Sequence, residues 1–321
     1  IKAYSMAKYR QQSLEKVRTI SVTKRKSKVR PRAFAQTVKK DASFLEFYNS
    51  LPHILVGEQF RALVDDVLKS RKKGKPVILM MGAHVIKVGC SPLIIDLMKE
   101  GVITHVAMNS AAAIHDVEMA MWGHTSEDVA SALLDGTFGM AKETGDFINN
   151  ALIAGMESSD CGYGETLGKA ILNAKGKFRR YSLLSSCYEL DVPVTVHAAI
   201  GTDIIHQQPS MSGAATGEMS FRDFKVFINS VKDLQGGGVV LNFGSAVIMP
   251  EVFLKALTVA RNLGYPAKGF TTATFDMIRH YRSQKNVVER PTQDGGKGYY
   301  FIGHHEIMFP LLSASINARM K

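Results

Sequence analysis

Pro76-Val77-Ile78-Leu79-Met80-Met81-Gly82-Ala83-His84 opens the stretch on which the fold turns, and that stretch runs on to Glu118. Val77–Met81 reads as a buried strand and Gly82-Ala83-His84 as the turn that ends it. Ser91–Lys99 has helical spacing, and Val102–Met108 reads as a second strand. Asn109-Ser110-Ala111-Ala112-Ala113 then leads into a helix carrying His115, Asp116 and Glu118. Two strands joined by a helix of this length form a βαβ unit with parallel strands. Small and polar residues follow both strands. In open parallel sheets that edge binds ligands, because helix N-termini and free backbone N–H groups converge there. His84, Lys87, Asn109, His115 and Asp116 would gather on it, which points to a small-molecule site.

The same alternation continues outward. Phe44–Leu51 and Gln59–Arg71 read as helices before the first strand. Ser126–Asp135, with Thr125 as its N-cap, and Gly139–Ala154 are helical by apolar spacing. Glu165–Asn173, Ser182–Leu190, Phe221–Leu234 and Pro250–Leu263 are further helices, and another closes the chain. Val192–Ala198, Val239–Asn242, Phe270–Thr274 and Tyr299–Ile302 read as strands, each ending in a Gly, Ser, Asn, Asp or His cluster. The pattern predicts an α/β fold with a parallel sheet flanked by helices. No linker interrupts residues 44–321, which read as one domain behind an arm of residues 1–43.

The net charge of +11 belongs to that arm. Residues 1–40 hold 13 Lys/Arg and one acid, Glu15, while the remainder holds 27 Lys/Arg against 28 Asp/Glu. Such an arm can contact nucleic acid or an anionic surface, or pack on a neighbouring subunit. It carries no aromatic platform beyond Tyr4, Tyr9 and Phe34 and no binding motif, which favours a solvated tail or an arm packed on a neighbouring subunit. A 45% hydrophobic and 21% charged composition is ordinary for a folded α/β protein. Cys90, Cys161 and Cys187 are widely spaced and form no Cys-x-x-Cys pair. With no signal-peptide pattern and no membrane-length apolar run, the expected setting is cytoplasmic.

Several motifs resolve to structure rather than chemistry. Gly162-Tyr163-Gly164 with Gly168 misses the dinucleotide fingerprint by one residue and reads as a loop. Gly236-Gly237-Gly238 reads as a turn. Met119, Met121 and Trp122 read as core. His115, Asp116 and Glu118 with His304, His305 and Glu306 are suitable types for a metal, but their spacing matches no metal signature, so none is expected. No Gly-x-Ser-x-Gly elbow occurs.

Four segments in order carry a resemblance: Gly101-Val102-Ile103-Thr104-His105-Val106-Ala107-Met108-Asn109-Ser110-Ala111-Ala112-Ala113-Ile114-His115-Asp116; Val192-Pro193-Val194 through Gly201-Thr202-Asp203-Ile204-Ile205; Thr272-Ala273-Thr274-Phe275-Asp276; and Phe309-Pro310-Leu311-Leu312. Together they are similar to the deoxyhypusine synthase family, particularly its bacterial and archaeal homologues, across residues 50–320. The resemblance implies a Rossmann-like parallel sheet, NAD as cofactor, and a homotetramer with active sites shared between subunits. It implies oxidation of a polyamine of the spermidine type and transfer of its aminobutyl group, through a lysine imine, to a protein lysine or a free amine.

The resemblance also assigns residues. NAD contacts would come from Gly82, His84, Asn109, Ser110, Gly201, Gly244, Asp276 and His304. Asp116, Asp203 and Glu306 would bind the amine, as carboxylates suit a dication. His115 or His305 would move a proton. Two departures stand out. Phe243-Gly244-Ser245-Ala246-Val247 carries no histidine where the family has one. The segment holding the family's imine lysine is shortened to Arg290–Gly298, where Lys297 is the lysine that would take the role. Alternatives are an NAD enzyme of this fold acting on a different amine, and a non-catalytic nucleotide-binding protein docking through its arm.

Overall fold

All five residues of the Val77–Met81 strand are buried, because helices cover both faces of the sheet it belongs to. The computed structural model describes residues 7–320. Its strands are β1 (Val77–Met81), β2 (His105–Asn109), β3 (Val194–His197), β4 (Val239–Phe243), β5 (Thr271–Asp276) and β6 (Lys297–Ile302). They form one sheet in the order β3-β2-β1-β4-β5-β6, with every neighbouring pair parallel. This is the Rossmann-like order, and it reverses direction between β1 and β4.

The helices are α1 (Phe44–Ser50), α2 (Leu55–Lys72), α3 (His84–Lys87), α4 (Ser91–Lys99), α5 (Ser110–Trp122), α6 (Val129–Asp135), α7 (Lys142–Ser158), α8 (Tyr163–Asn173), α9 (Leu183–Glu189), α10 (Gly213–Val231), α11 (Ile248–Asn262), α12 (Tyr281–Ser283) and α13 (His305–Arg319). Alternate strand residues face opposite layers. Val77, Leu79 and Met81 pack with α2, α4, α5, α9 and α13. Ile78 and Met80 pack with Phe227 and Val231 of α10 and Met249 and Phe253 of α11. Among the described residues no helix is long and apolar enough to cross a membrane.

One aromatic ladder holds the carboxyl edge together. Phe243, Phe275 and Phe301 pair in register across β4, β5 and β6. Their rings stack with centroids 4.3 Å and 4.6 Å apart, and Phe309 of α13 meets Phe243 edge-on at 4.9 Å. Removing one such buried ring costs roughly 3–5 kcal/mol. The ladder therefore fixes the start of α13 against the ends of β4 and β5.

Boundaries differ from the sequence reading where local hydrogen bonds override periodicity. β2 starts at His105 rather than Val102, because the Val102 and Ile103 amides close the end of α4 on Leu97 O. α10 starts at Gly213, earlier than expected; Ser212 caps it, and Gly213 and Gly217 mask its first turns. α6 is capped by Asp128, not Thr125. The Gly162-Tyr163-Gly164 segment is not a loop but the start of α8. A Cβ on Gly162 would lie 1.8 Å from Asp223 Oδ1, and one on Gly164 2.3 Å from Val194 O. Asp223 Oδ2 accepts from the Gly164 and Val196 amides at 2.9 Å and 2.6 Å, tying α8 to β3. Burial pushes that carboxyl up to about 8 against the pull of these donors.

From residue 7 onward the arm lies almost wholly exposed, including Tyr9, Leu14, Val17, Ile20 and Val22. Backbone bonds tie it to the body where Gln36 N–H meets Ser50 O and His53 N–H meets Ala33 O. Ser43 then starts α1 with a capping box to Glu46.

Urea unfolding separates the packing glycines from the free ones. Gly162→Ala should lower stability by about 1–3 kcal/mol, since Asp223 cannot yield without losing its amides. Gly217→Ala, with open space at its Cβ, should raise it by about 0.5–1 kcal/mol by reducing backbone entropy in the unfolded chain.

Candidate active site at the carboxyl edge of the sheet

The turns after β1 and β4 meet where the strand order reverses. Gly82 N–H donates to Phe243 O at 3.0 Å, and a Cβ on Gly82 would lie 2.4 Å from Gly244 O. Gly244 has φ +65°, and a Cβ there would lie 2.5 Å from His305 Nε2. The His305 ring thus rests on bare backbone. It is fully buried, and neither ring nitrogen has a partner among the described residues. Burial lowers its pKa, while the charge of Asp276 opposes this. Asp276, at the end of β5, accepts from Met277 N–H at 2.8 Å through Oδ1. Its Oδ2 is buried without a partner among the described residues, as is Asn242 Oδ1. The His84 ring stands 5.7 Å from His305. Unmatched buried donors and acceptors are costly, and those of His305 and Asp276 lie together at this edge, where a polar ligand could meet them.

A cavity of about 740 Å³ opens beside this crossover, between α5, α7 and the loops after α5 and β3. Lys87, Glu118, Glu127, Glu143 and Asp203 give it its charge, His115 adds an imidazole, and Ile114, Trp122 and Phe138 give it apolar wall. Glu118 accepts from Thr144 Oγ1 at 3.0 Å and from Thr125 Oγ1. His115 Nδ1 lies 2.5 Å from Thr125 Oγ1. Burial first, and Lys87 second, lower the His115 pKa to about 4, so the ring is neutral at physiological pH. Asp203 accepts from Ser110 Oγ and lies 3.8 Å from His206; burial raises its pKa. Four carboxylates thus face one ammonium, so the cavity favours cationic ligands. Crossover and cavity are joined by α3. His84 begins it beside His305, and Lys87 ends it one helical turn later at the cavity wall.

The assigned residues therefore divide. His115 and Asp203 line the cavity. Gly82, His84, Gly244, Asp276 and His305 meet at the crossover. Asn109 caps α5 by accepting from Ala112 N–H, and Ser110 orients Asp203. His304 and Glu306 are exposed beside His305, 3.8 Å apart; Glu306 does not line the cavity. Gly201, φ +96°, makes an exposed turn with nothing near its Cβ position.

Two assignments are corrected outright. Lys297 starts β6, where it pairs with Thr271 at the amino edge of the sheet. Five residues of strand, about 16 Å, separate it from the carboxyl edge. It binds both oxygens of Asp66 at 2.9 Å, and that bond raises its pKa, the opposite of what an imine-forming lysine requires. Asp116 faces the core, fully buried. It accepts from Ser182 Oγ, Leu183 N–H and Leu184 N–H at 2.5, 2.7 and 3.1 Å, holding the start of α9. Burial raises its pKa to about 6 against these three donors. Trp122, read as core, lines the cavity. Glu118, Thr125, Thr144 and Glu143 were not assigned to the site. Glu118 was open to detection, being three residues from His115 on one helix face; the threonines come from distant segments and leave no sequence signal. Among the described residues no group of three or more His, Cys, Asp or Glu could hold a metal.

No family model and no curated protein matches the chain. Solved structures do. Unliganded AgrE superposes with a TM-score of 0.53 at 13% identity, over 82% of this chain and 33% of its own. AgrE in a ternary complex with ornithine and NAD+ gives 0.51 at 13% identity, over 81% and 33%. A candidate deoxyhypusine synthase from Entamoeba histolytica gives 0.49 at 11% identity, over 88% and 96%. The likeness is one of fold. The chain spans a third of the AgrE chain, covering 33% of it in both states.

Asp116→Ala leaves three buried donors unmatched and should cost about 3 kcal/mol in urea unfolding. Lys297→Ala, at a half-exposed ion pair, should cost less than about 1 kcal/mol and leave amine affinity, read by calorimetry, unchanged.

Proposed function

We propose that the protein is an NAD-dependent enzyme acting on a cationic amine, moving an aminobutyl group from a polyamine of the spermidine type to a protein lysine or a free amine. The observation that carries this reading is the acidic cavity set one helical turn from the crossover of a Rossmann-like sheet. The fit to a dinucleotide rests on the buried unpartnered atoms of Asn242, Asp276 and His305. These, with His84, would hold its polar groups. NAD, when bound, accepts a hydride from the carbon bearing the amine. Glu118, Glu143 and Asp203 attract and orient the ammonium groups, and His115 takes a proton from the nitrogen that reacts. Lys87 is the lysine on the cavity wall, so transfer through a lysine imine would run there rather than at Lys297.

NAD at millimolar concentration should raise the melting temperature, as any ligand of the native state does, and NADH should form with spermidine or putrescine. Borohydride added during turnover should leave a mass adduct on Lys87. Absence of any NAD-dependent shift would overturn the cofactor reading; NAD binding without turnover of any amine would favour the non-catalytic alternative. A second reading keeps the enzyme and changes the amine. Lys87 has no ion-pair partner among the described residues and would suit a substrate carboxylate, as in ornithine. Tighter binding of ornithine than of putrescine selects it.

The exposed apolar and basic arm supports a homo-oligomer, of the shared-site tetramer kind, in which the arm packs on a neighbouring subunit. Removing residues 1–40 should lower the particle mass in light scattering. Unchanged mass, with salt-sensitive binding of DNA or anionic vesicles by the full chain alone, would assign the arm to an anionic partner instead.

A further inference from the structure

We infer that Thr125 and Glu118 fix His115 as the Nδ1–H tautomer, leaving its Nε2 as the proton acceptor that faces the substrate cavity. The assignment follows from the inventory of donors. Thr125 Oγ1 has one hydrogen, and it goes to Glu118 Oε2, because an ionised carboxylate only accepts. The same threonine oxygen lies 2.5 Å from His115 Nδ1 and so has only a lone pair to offer that nitrogen. Nδ1 must therefore carry the hydrogen, and Nε2 is bare. Glu118 is held in turn by Thr144 Oγ1 at 3.0 Å, so the relay is anchored on α5, on the loop before α6 and on α7. The ring is one-fifth exposed, lines the cavity, and has no protein partner on Nε2 among the described residues.

This deepens the proposed function and rests on it for the identity of the proton donor. An ammonium cannot give up hydride while its nitrogen lone pair is protonated. The step is a proton transfer: an N–H bond of the substrate ammonium breaks, an N–H bond forms at Nε2, and the amine keeps the electron pair. No oxidant or reductant is consumed. The imidazolium that results keeps its Nδ1–H on Thr125, and Glu118 answers its charge 3.8 Å away. Thr125 and Glu118 are positioning residues; His115 is the catalytic one. The charged and titratable groups around the ring are Glu118 on its own helix, Lys87 on α3, Glu143 on α7, His124 and Glu127 on the following loop, and Asp203 after β3. Burial first, and Lys87 second, keep the free ring neutral. An arriving ammonium can pass a proton only to a base that is neutral, and burial with Lys87 leaves the ring so.

The test uses the full chain with ¹⁵N-labelled histidine. At pH 7, without cofactor or amine, the His115 resonances should report Nδ1–H. Thr125→Val keeps the shape and removes the hydroxyl, so the ring should shift toward Nε2–H; Thr125→Ser should retain the wild-type pattern. In NAD-linked amine oxidation, Thr125→Val should lose about tenfold or more in kcat, move the acidic limb of the pH profile, and leave the Kd for NAD unchanged. Thr125→Ser should recover most of the loss. Nε2–H in the wild type, or an unchanged tautomer in Thr125→Val, overturns the assignment. A correct tautomer with unchanged kcat and pH profile in Thr125→Val overturns the proton-transfer role. Because the spectra need no ligand, a wild type that shows Nδ1–H but turns over no amine counts against the amine reading alone and upholds the tautomer.

Discussion

The carboxyl edge depends on one close approach, the turn after β1 pressed against the turn after β4. Gly82 lies backbone to backbone against Gly244; a side chain on Gly82 would force the two turns apart, and one on Gly244 would strike the His305 ring. The positive φ of Gly244 then clears the space into which His305 fits. Three elements from distant parts of the chain thus meet with no side chain between the turns. The phenylalanine ladder supplies the opposing force, pulling α13 onto β4 and β5. Together these constraints bury the polar atoms of His305, Asp276 and Asn242 at the point where the sheet reverses, and a Rossmann-like sheet offers its crevice there.

Helix α5 is the second support. Adjacent residues on a helix point about 100° apart, so His115 and Asp116 serve opposite ends of the architecture. Asp116 turns inward and nucleates α9, while His115 turns toward the cavity with Glu118 one turn below it. A carboxylate in the core is tolerated because three donors surround it. The cavity's own carboxylates are likewise held by protein hydroxyls and amides, which keeps them pointed inward. The body is close to neutral overall, so this acidity is local, placed by the fold rather than by composition.

Much of the sheet was legible because strands covered on both faces are continuous apolar runs bounded by turn residues, as at Val77–Met81 and Val239–Phe243. Helix starts were harder. Gly213 and Gly217 hid two turns of α10, and the Gly162–Gly164 pair looked like a loop although its glycines serve close packing on Asp223 and Val194. Residues on strand ends could be singled out as candidates because the chain itself marks those ends. Thr125 and Thr144 were not, since nothing in their neighbourhoods differs from ordinary connectors and helices.

The sequence by itself determined the α/β alternation, the parallel pairing of β1 with β2, the basic arm and the polar clusters at the strand ends. These follow from local spacing and from which residues can sit in a covered strand or a tight turn. Tertiary structure alone decided which polar residues share a site. Lys297 and Asp276 flank the same pair of neighbouring strands, yet the strand direction sends one to the amino edge and the other to the carboxyl edge. Asp116 and His115 are neighbours in sequence, yet helix rotation parts them. Residue type tells what chemistry a side chain can do; only strand order, direction and helix phase tell which side chains meet to do it.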